Sequence, residues 1–316
     1  MKVRLLLLIA GLLLFPLFVR NDYILNVAIM IGIYVILASS MNLTNGYAGI
    51  FSMGHSAFYG IGAYATGILS FRIGSGFWTG MLAAGVASMM FGLLLGIPAL
   101  RLKGIFFALI TVSFLEIFRL VTMNWISLTR GPMGIPGIPA PTLFGWSLSA
   151  NRHFYYLILV MDIMMVLFMY RIIHSRLGRA FMAIRDDDLA AAALGIPTFR
   201  YRLLALAIST CLCGFAGCFY AHYASYISVD SFGVSESFII LTMMIVGGMG
   251  TITGPLVGAI VMVIFPEIFR SLLEYRMVAY GVILILMILF RPEGLFGVPG
   301  LSGTEGVLTK FRRNDF

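Results

Sequence analysis

Charge is what this chain has least of. Asp, Glu, Lys and Arg make up 11% of its 316 residues, against roughly a quarter of an ordinary soluble sequence. With 60% hydrophobic residues and a mean hydropathy of +1.01, most of the chain has no way to stay dissolved, which excludes a soluble enzyme or binding domain. Lysine is nearly missing: Lys2, Lys103 and Lys310 are the full set. None follows Gly and precedes Ser or Thr, as the lysine of a phosphate-cradling Walker A loop must, so the chain is expected to hold no ATPase. The four histidines, His55, His153, His174 and His222, lack HExxH or HxH spacing. Cys211, Cys213 and Cys218 share one apolar segment without a CxxC pair, so no metal site and no bound cofactor are expected. Acids within apolar segments are also scarce. Glu116 is three residues from Arg119 and able to pair with it, while Asp162 stands alone. A proton- or ion-driven carrier places several acids along its route, and a membrane enzyme needs converging nucleophile, base or ligands, so neither class is expected.

What remains is a polytopic, all-α membrane bundle. A span takes about 20 apolar residues, and such runs fall at 5–18, 23–41, 49–69, 77–97, 105–125, 154–170 and 203–224. A further apolar stretch, 238–246 and 256–265, is broken by Gly247, Gly248, Gly250, Gly254 and Pro255, and a last run covers 277–290. With the broken stretch counted as two, about ten spans result, some discontinuous, in one domain over residues 1–316 with no linker. The first run resembles a signal peptide, but no small-residue cleavage site follows, so it is read as an uncleaved helix. Pro132, Pro136, Pro139 and Pro141 rule out a helix between Arg130 and Arg152 and predict an ordered extracytoplasmic cover. The net charge of +8 sits at segment ends, where it orients helices and meets lipid headgroups; nucleic acid is not expected as a partner. Cys211 and Cys218 join Ala207, Gly214 and Ala221 in a small-residue stripe at helical spacing, suited to close helix packing.

One interval is polar. Residues 171–202 carry Arg171, Arg176, Arg179, Arg185, Arg200 and Arg202 between two apolar runs, which predicts a cytoplasmic loop and, with the basic tail, cytoplasmic termini. Asp186, Asp187 and Asp188 supply a cap and first-turn acids, the run from Leu189 to Leu194 favours helix, and Gly195 and Pro197 stop it. The four alanines from Ala190 to Ala193 leave little bulk, so a partner's groove has close access to the backbone.

Two glycine-interrupted stretches, 45–64 and 246–258, stand in opposite halves, an arrangement used by transporters for discontinuous helices around a midplane route. Tight helix packing is the alternative use of such glycines. If the first stretch is helical, Ser52, His55, Ser56 and Tyr59 share a polar face. Those four, with Thr251 and Thr253 from the second stretch, are the candidate substrate-pathway residues; none is catalytic.

The stretch Asn42-Leu-Thr-Asn-Gly-Tyr-Ala-Gly-Ile-Phe-Ser-Met-Gly-His-Ser-Ala-Phe-Tyr-Gly-Ile-Gly-Ala-Tyr64 resembles the signature region of permease subunits of high-affinity branched-chain amino acid ABC importers, in particular their LivM branch. The loop from Gly178 to Ile196, Gly247-Gly-Met-Gly-Thr-Ile-Thr-Gly-Pro255 and Arg291-Pro-Glu-Gly-Leu-Phe-Gly297 extend the resemblance over nearly the whole chain. In ABC importers the cytoplasmic pattern is Glu-Ala-Ala, three residues, then Gly. Gly195 as that glycine places Ala190 and Ala191 correctly but puts Leu189 at the glutamate, with Asp188 the nearest acid. The resemblance implies an inner-membrane permease without enzymatic activity of its own. It would be paired with a second related permease subunit, driven by two cytoplasmic ATPase subunits using ATP and magnesium, and fed by a periplasmic binding protein. Asp187, Asp188, Ala190, Ala191 and Gly195 would form the ATPase-coupling element. Urea, short amides or other amino acids are alternative cargoes of similar permeases.

Overall fold

The computed structural model describes residues 11–16, 21–102, 104–143, 146–268, 276–291 and 293–297. Of the first expected span, only residues 11–16, which are helical, lie within this set, and the basic tail at Lys310, Arg312 and Arg313 lies outside it. Eleven helices of the described residues carry an all-α bundle. Helix α1 (Asp22–Asn42) starts where the Asn21 side chain accepts from Tyr23 N at 3.0 Å, and α2 (His55–Ile73) stops at Gly74, whose φ is 67°. Next come α3 (Phe77–Ala99), α4 (Ile105–Asn124) and α5 (Asn151–Ile173). Two short helices form an elbow, α6 (Arg176–Asp186) and α7 (Asp188–Ala193). Helix α8 (Thr198–Ala224) leads back into the bundle, followed by α9 (Val234–Gly247), α10 (Thr253–Ile268) and α11 (Arg276–Phe290).

Six segments among the described residues are long and apolar enough to cross a membrane: Asp22–Tyr47, Phe77–Ala99, Ile105–Asn124, Asn151–Ile173, Thr198–Ala224 and Val229–Gly247. This is fewer than the ten expected, for identifiable reasons. Helix α2 is diluted by Gly, Ser and His. Helices α10 and α11, with 16 and 15 described residues, border residues 269–275, which lie outside the described set, as does most of the first expected run.

Helix α8 is the axis of the fold, packed chiefly on α3 and α2. It can be buried because its inner residues are small. A Cβ built on Gly62 of α2 would lie 2.5 Å from Gly214 O, and one on Gly217 would lie 2.7 Å from Ala63 N, so at this crossing backbone meets backbone. The cysteines serve packing as expected: the Cys213 thiol donates to His55 O (3.3 Å) and Cys218 to Phe77 O (3.7 Å), and all three are free.

At the far end of α8 the proline-rich segment forms the expected ordered cover. Strand β1 (Ile135–Pro136) pairs antiparallel with β4 (Tyr226–Ile227), Ile135 opposite Ile227, and β2 (Thr142–Leu143) pairs with β3 (Trp146–Ser147). His222 Nδ1 donates to Pro139 O at 2.6 Å and ties the cover to α8. Arg119 pairs with Glu116 as expected (3.2 Å) and also reaches Asp230 at 3.8 Å. Asp162 Oδ1 is buried without a hydrogen-bond partner, beside Gly32 of α1.

Candidate functional site

The last turn of α1 widens into a π turn, Leu43–Tyr47, and residues 48–54 are not helical, so the expected third span begins at His55 rather than at Gly49. Local bonds build this break. Asn45 accepts from Ser52 N (3.0 Å) and donates to Ser52 O (2.9 Å), closing the loop with one side chain. Gly49 has φ +66°, a left-handed conformation that a side chain would strain. The second break lies between α9 and α10. There Gly250 has φ +73°, and Thr251 Oγ1 donates to Gly248 O (3.0 Å) while accepting from Gly254 N (3.1 Å).

The two breaks meet. Asn42, 1% exposed, donates from Nδ2 to Thr251 O at 2.7 Å and accepts at Oδ1 from Gly250 N at 2.8 Å. One amide thus satisfies a donor and an acceptor on a chain segment some 209 residues away. A Cβ on Gly46 would come within 2.5 Å of Gly250 N, so glycine is what lets the segments touch. Residues 293–297 close the same junction: Leu295 N donates to Val246 O and Phe296 N to Gly247 O, both at 2.9 Å.

The pathway residues fall differently from the sequence expectation. Ser52 precedes α2, so it does not share a helical face with His55, Ser56 and Tyr59, although its hydroxyl is 3.4 Å from His55 Nδ1. Ser52, His55 and Ser56 are fully buried and Tyr59 is 3% exposed. Ser209 spends its one hydroxyl proton on Ser40 O (2.6 Å), so His55 Nε2 must donate to Ser209 Oγ at 2.9 Å, leaving Nδ1 to accept from Ser52. The Ser56 hydroxyl donates to Gly233 O (2.9 Å) and its backbone N–H donates to Ser237 Oγ at 3.1 Å. Tyr59 packs on Tyr220 and Phe232, with ring centroids 5.5 and 5.0 Å away. These polar groups are satisfied within the chain, which is how a packed core treats them. Thr251 is half-buried at the second break and Thr253, at the start of α10, is exposed.

The elbow has more shape than its charge pattern implies. Helix α6, where the arginine-rich pattern predicts loop, is capped by Ser175 Oγ accepting from Leu177 N at 3.1 Å, and it buries Gly178, Ala180, Phe181 and Ile184. Helix α7 is capped as expected: Asp187 accepts from Leu189 N (2.9 Å) and Ala190 N (3.0 Å), and Gly195, φ +82°, ends it. Asp188 pairs with Arg202 of α8 at 3.3 Å. Of the four alanines, Ala190, Ala192 and Ala193 are exposed. Ala191 is 2% exposed and packs inward, while Leu189 and Leu194 point out at 76% and 82% exposure. At the C-terminal end of α6, Arg185 Nη1 donates to Gly46 O at 3.1 Å, so the elbow touches the junction directly.

Residues 23–290 match the family described as "Branched-chain amino acid transport system / permease component". The chain belongs to this family. Among its relatives, the "High-affinity branched-chain amino acid transport system permease protein LivM" of Salmonella typhimurium is 36% identical over 293 residues, covering 85% of this chain and 69% of the relative. A protein named "Probable branched-chain amino acid transport permease protein LivM" from Methanocaldococcus jannaschii is 23% identical, covering 87% and 93%. The permease protein LivH of the same type of system in Escherichia coli K12 is 26% identical, covering 84% and 92%. No solved structure matches the chain.

In this permease-family chain the four stretches that carried the resemblance converge on one place. Residues 42–64 and 247–255 contain the two breaks, 293–297 closes them, and 178–196 covers the elbow. Asn42 and Arg185 received no role from the sequence. An asparagine near the end of a long apolar run signals a buried polar group in need of partners, and that signal was present for Asn42. Arg185 is one of six arginines in its loop, and no local pattern separates it from the other five.

Proposed function

We propose that this chain is the transmembrane subunit of an ABC importer that moves branched-chain or related apolar amino acids into the cytoplasm. It works with a second related permease subunit, two cytoplasmic ATPase subunits that bind ATP and magnesium, and a periplasmic binding protein. The observation that carries this reading is the hydrogen bond from the elbow to the paired breaks, because a transporter without an engine needs one ordered element through which an external motor reaches its interrupted helices. The cargo follows the names of the relatives; urea, short amides or other amino acids are the alternatives. The chain sits as a single permease domain in the inner membrane, with the elbow and both termini cytoplasmic and about ten crossings. The six long segments, α2, α10, α11 and the N-terminal helix make up that number. Asp187, Asp188, Ala190, Ala191 and Gly195 shape the coupling helix, and its outward leucines meet the ATPase.

Ser52, His55, Ser56 and Tyr59, with Thr251 and Thr253, are proposed to line the route when it opens; in the arrangement described, the first four are sealed by α8 and α9. Ser52→Cys and Ser56→Cys, nearly isosteric changes, are expected to resist an aqueous thiol reagent at rest. With ATP and loaded binding protein, labelling should rise on the order of tenfold, as a minor open state becomes dominant. Protection in every state would assign these residues to packing alone.

The function itself is tested in proteoliposomes holding both permease subunits and the ATPase subunits. Radiolabelled leucine uptake should require ATP and binding protein, and unlabelled isoleucine or valine should compete where urea and acetamide do not. Leucine uptake by this chain alone, without ATP, would overturn the reading.

A further inference from the structure

We propose that Arg185 is a positioning residue that transmits elbow movement to both interrupted segments at once; this rests on the ABC reading above. Its guanidinium is fixed before it reaches the junction. Asp186 Oδ1 accepts from Nε (3.0 Å) and Nη2 (2.8 Å), leaving Nη1 aimed at Gly46 O, 3.1 Å away. The Arg185 side chain is 15% exposed against 66% for Asp186, so the fork is anchored at the surface and its tip is covered. Gly46 O is a suitable acceptor because it lies in the final turn of the α1 segment, where carbonyls lack helical partners and the helix dipole favours a cation.

Contacts extend from that tip to both breaks. A Cβ built on Gly49 would lie 3.0 Å from Arg185 Cα and 3.1 Å from its Cγ, so the arginine backbone and stem rest against the first break. A Cβ on Gly250 would lie 3.2 Å from Arg185 Nη1 and 3.3 Å from Gly46 O, so the same nitrogen covers the second. Asn42 then fastens the breaks to each other through Gly250 N and Thr251 O. The side chain that spans from elbow to breaks is that of Arg185, held in place by Asp186. A displacement of α6 therefore moves Gly46 and Gly250 together. Lysine cannot take this place fully, because an ammonium lacks the planar fork that Asp186 holds while a third donor points elsewhere.

The test uses the full complex in proteoliposomes. For Arg185→Ala, complex recovery and basal ATPase rate should match wild type. Leucine imported per ATP hydrolysed should fall about tenfold or more, within the ~5- to 150-fold range usual for coupling between sites. Arg185→Lys should restore part of it, a graded rescue that a loss of folding would not give. Hydrogen–deuterium exchange on the purified chain supplies a readout independent of transport. In Arg185→Ala, peptides covering 46–52 and 248–254 should both exchange faster, with peptides from α8 unchanged. Unaltered uptake per ATP would overturn the proposal, as would faster exchange confined to one break. If the wild-type complex shows no ATP-dependent uptake, the functional reading fails, and the exchange result still decides whether Arg185 holds both breaks.

Discussion

Gly62→Val should leave almost no chain recoverable as a monodisperse complex from detergent, while Gly76→Ala should behave as wild type. At Gly62 an added Cβ would lie 2.5 Å from Gly214 O and 2.6 Å from Gly214 Cα, where ordinary contacts begin near ~3.5 Å. The obstacle is backbone of α8, so no rotamer change relieves it, and the helices must separate by an ångström or more. Separation removes neighbouring contacts as well: Gly217 loses its seat on Tyr59 O and Ala63 N, and Ser88 Oγ, which donates to Phe58 O at 2.9 Å, loses registry with α2. Overpacking a well-filled core costs ~1–3 kcal/mol where side chains can shift, and a rigid crossing at the centre of the bundle exceeds that range. Gly76 has nothing within 4 Å of a built Cβ and an ordinary φ of −79°. The check is size-exclusion recovery and thermal aggregation midpoint for the two variants side by side. A monodisperse Gly62→Val protein with an unchanged midpoint would show that α2 and α8 do not cross in backbone contact.

Glycine placement explains why parts of this architecture are readable from sequence and others are not. The apolar runs locate α1, α3, α4, α5 and α8 to within a few residues, because length and hydropathy set a span and nothing competes with them. Asp187 and Gly195 mark α7 equally well, since capping is a local interaction. Helix α6 is a different case. Leu177, Ala180, Phe181 and Ile184 carry a helical period, but the arginines around them read as loop. The position of Ser52 off the helix depends on the Asn45 clasp and on Gly49, and those are contacts rather than periodicities. The junction was beyond reach for a plainer reason: Asn42 and Thr251 are 209 residues apart, and no local pattern announces a partner at that distance. The polar face of the first break was legible as a cluster, yet its burial was not, because the groups that satisfy it come from Ser209, Gly233 and Ser237.

Leu189→Asp with Leu194→Asp should separate the permease from its motor without disturbing the membrane part. Both side chains point away from the bundle, at 76% and 82% exposure, an unusual outlay of large apolar surface on a short helix that its own fold does not use. By the resemblance, Leu189 stands where ABC importers commonly carry glutamate, so the contact expected there is apolar rather than ionic. Burying a leucine contributes ~1.5–3 kcal/mol, and about 1.4 kcal/mol is tenfold in affinity. Losing two, and placing carboxylates in the groove instead, should weaken ATPase docking by at least ~100-fold. The Asp187 cap, the Asp188–Arg202 pair and the buried Ala191 are untouched, so the elbow keeps its shape. Ala191→Trp, by contrast, would break the elbow from inside and say nothing about docking.

Entry of the drive through the elbow is tested by ATPase stimulation by substrate-loaded binding protein, with complex recovery on a detergent column, for wild type and the double leucine variant. The wild-type complex should be stimulated, and the variant should give a permease that inserts and purifies normally but recovers no ATPase and shows no stimulation. A double variant that retains its ATPase subunits and is stimulated like wild type would contradict it, because the elbow would then not be where the drive enters.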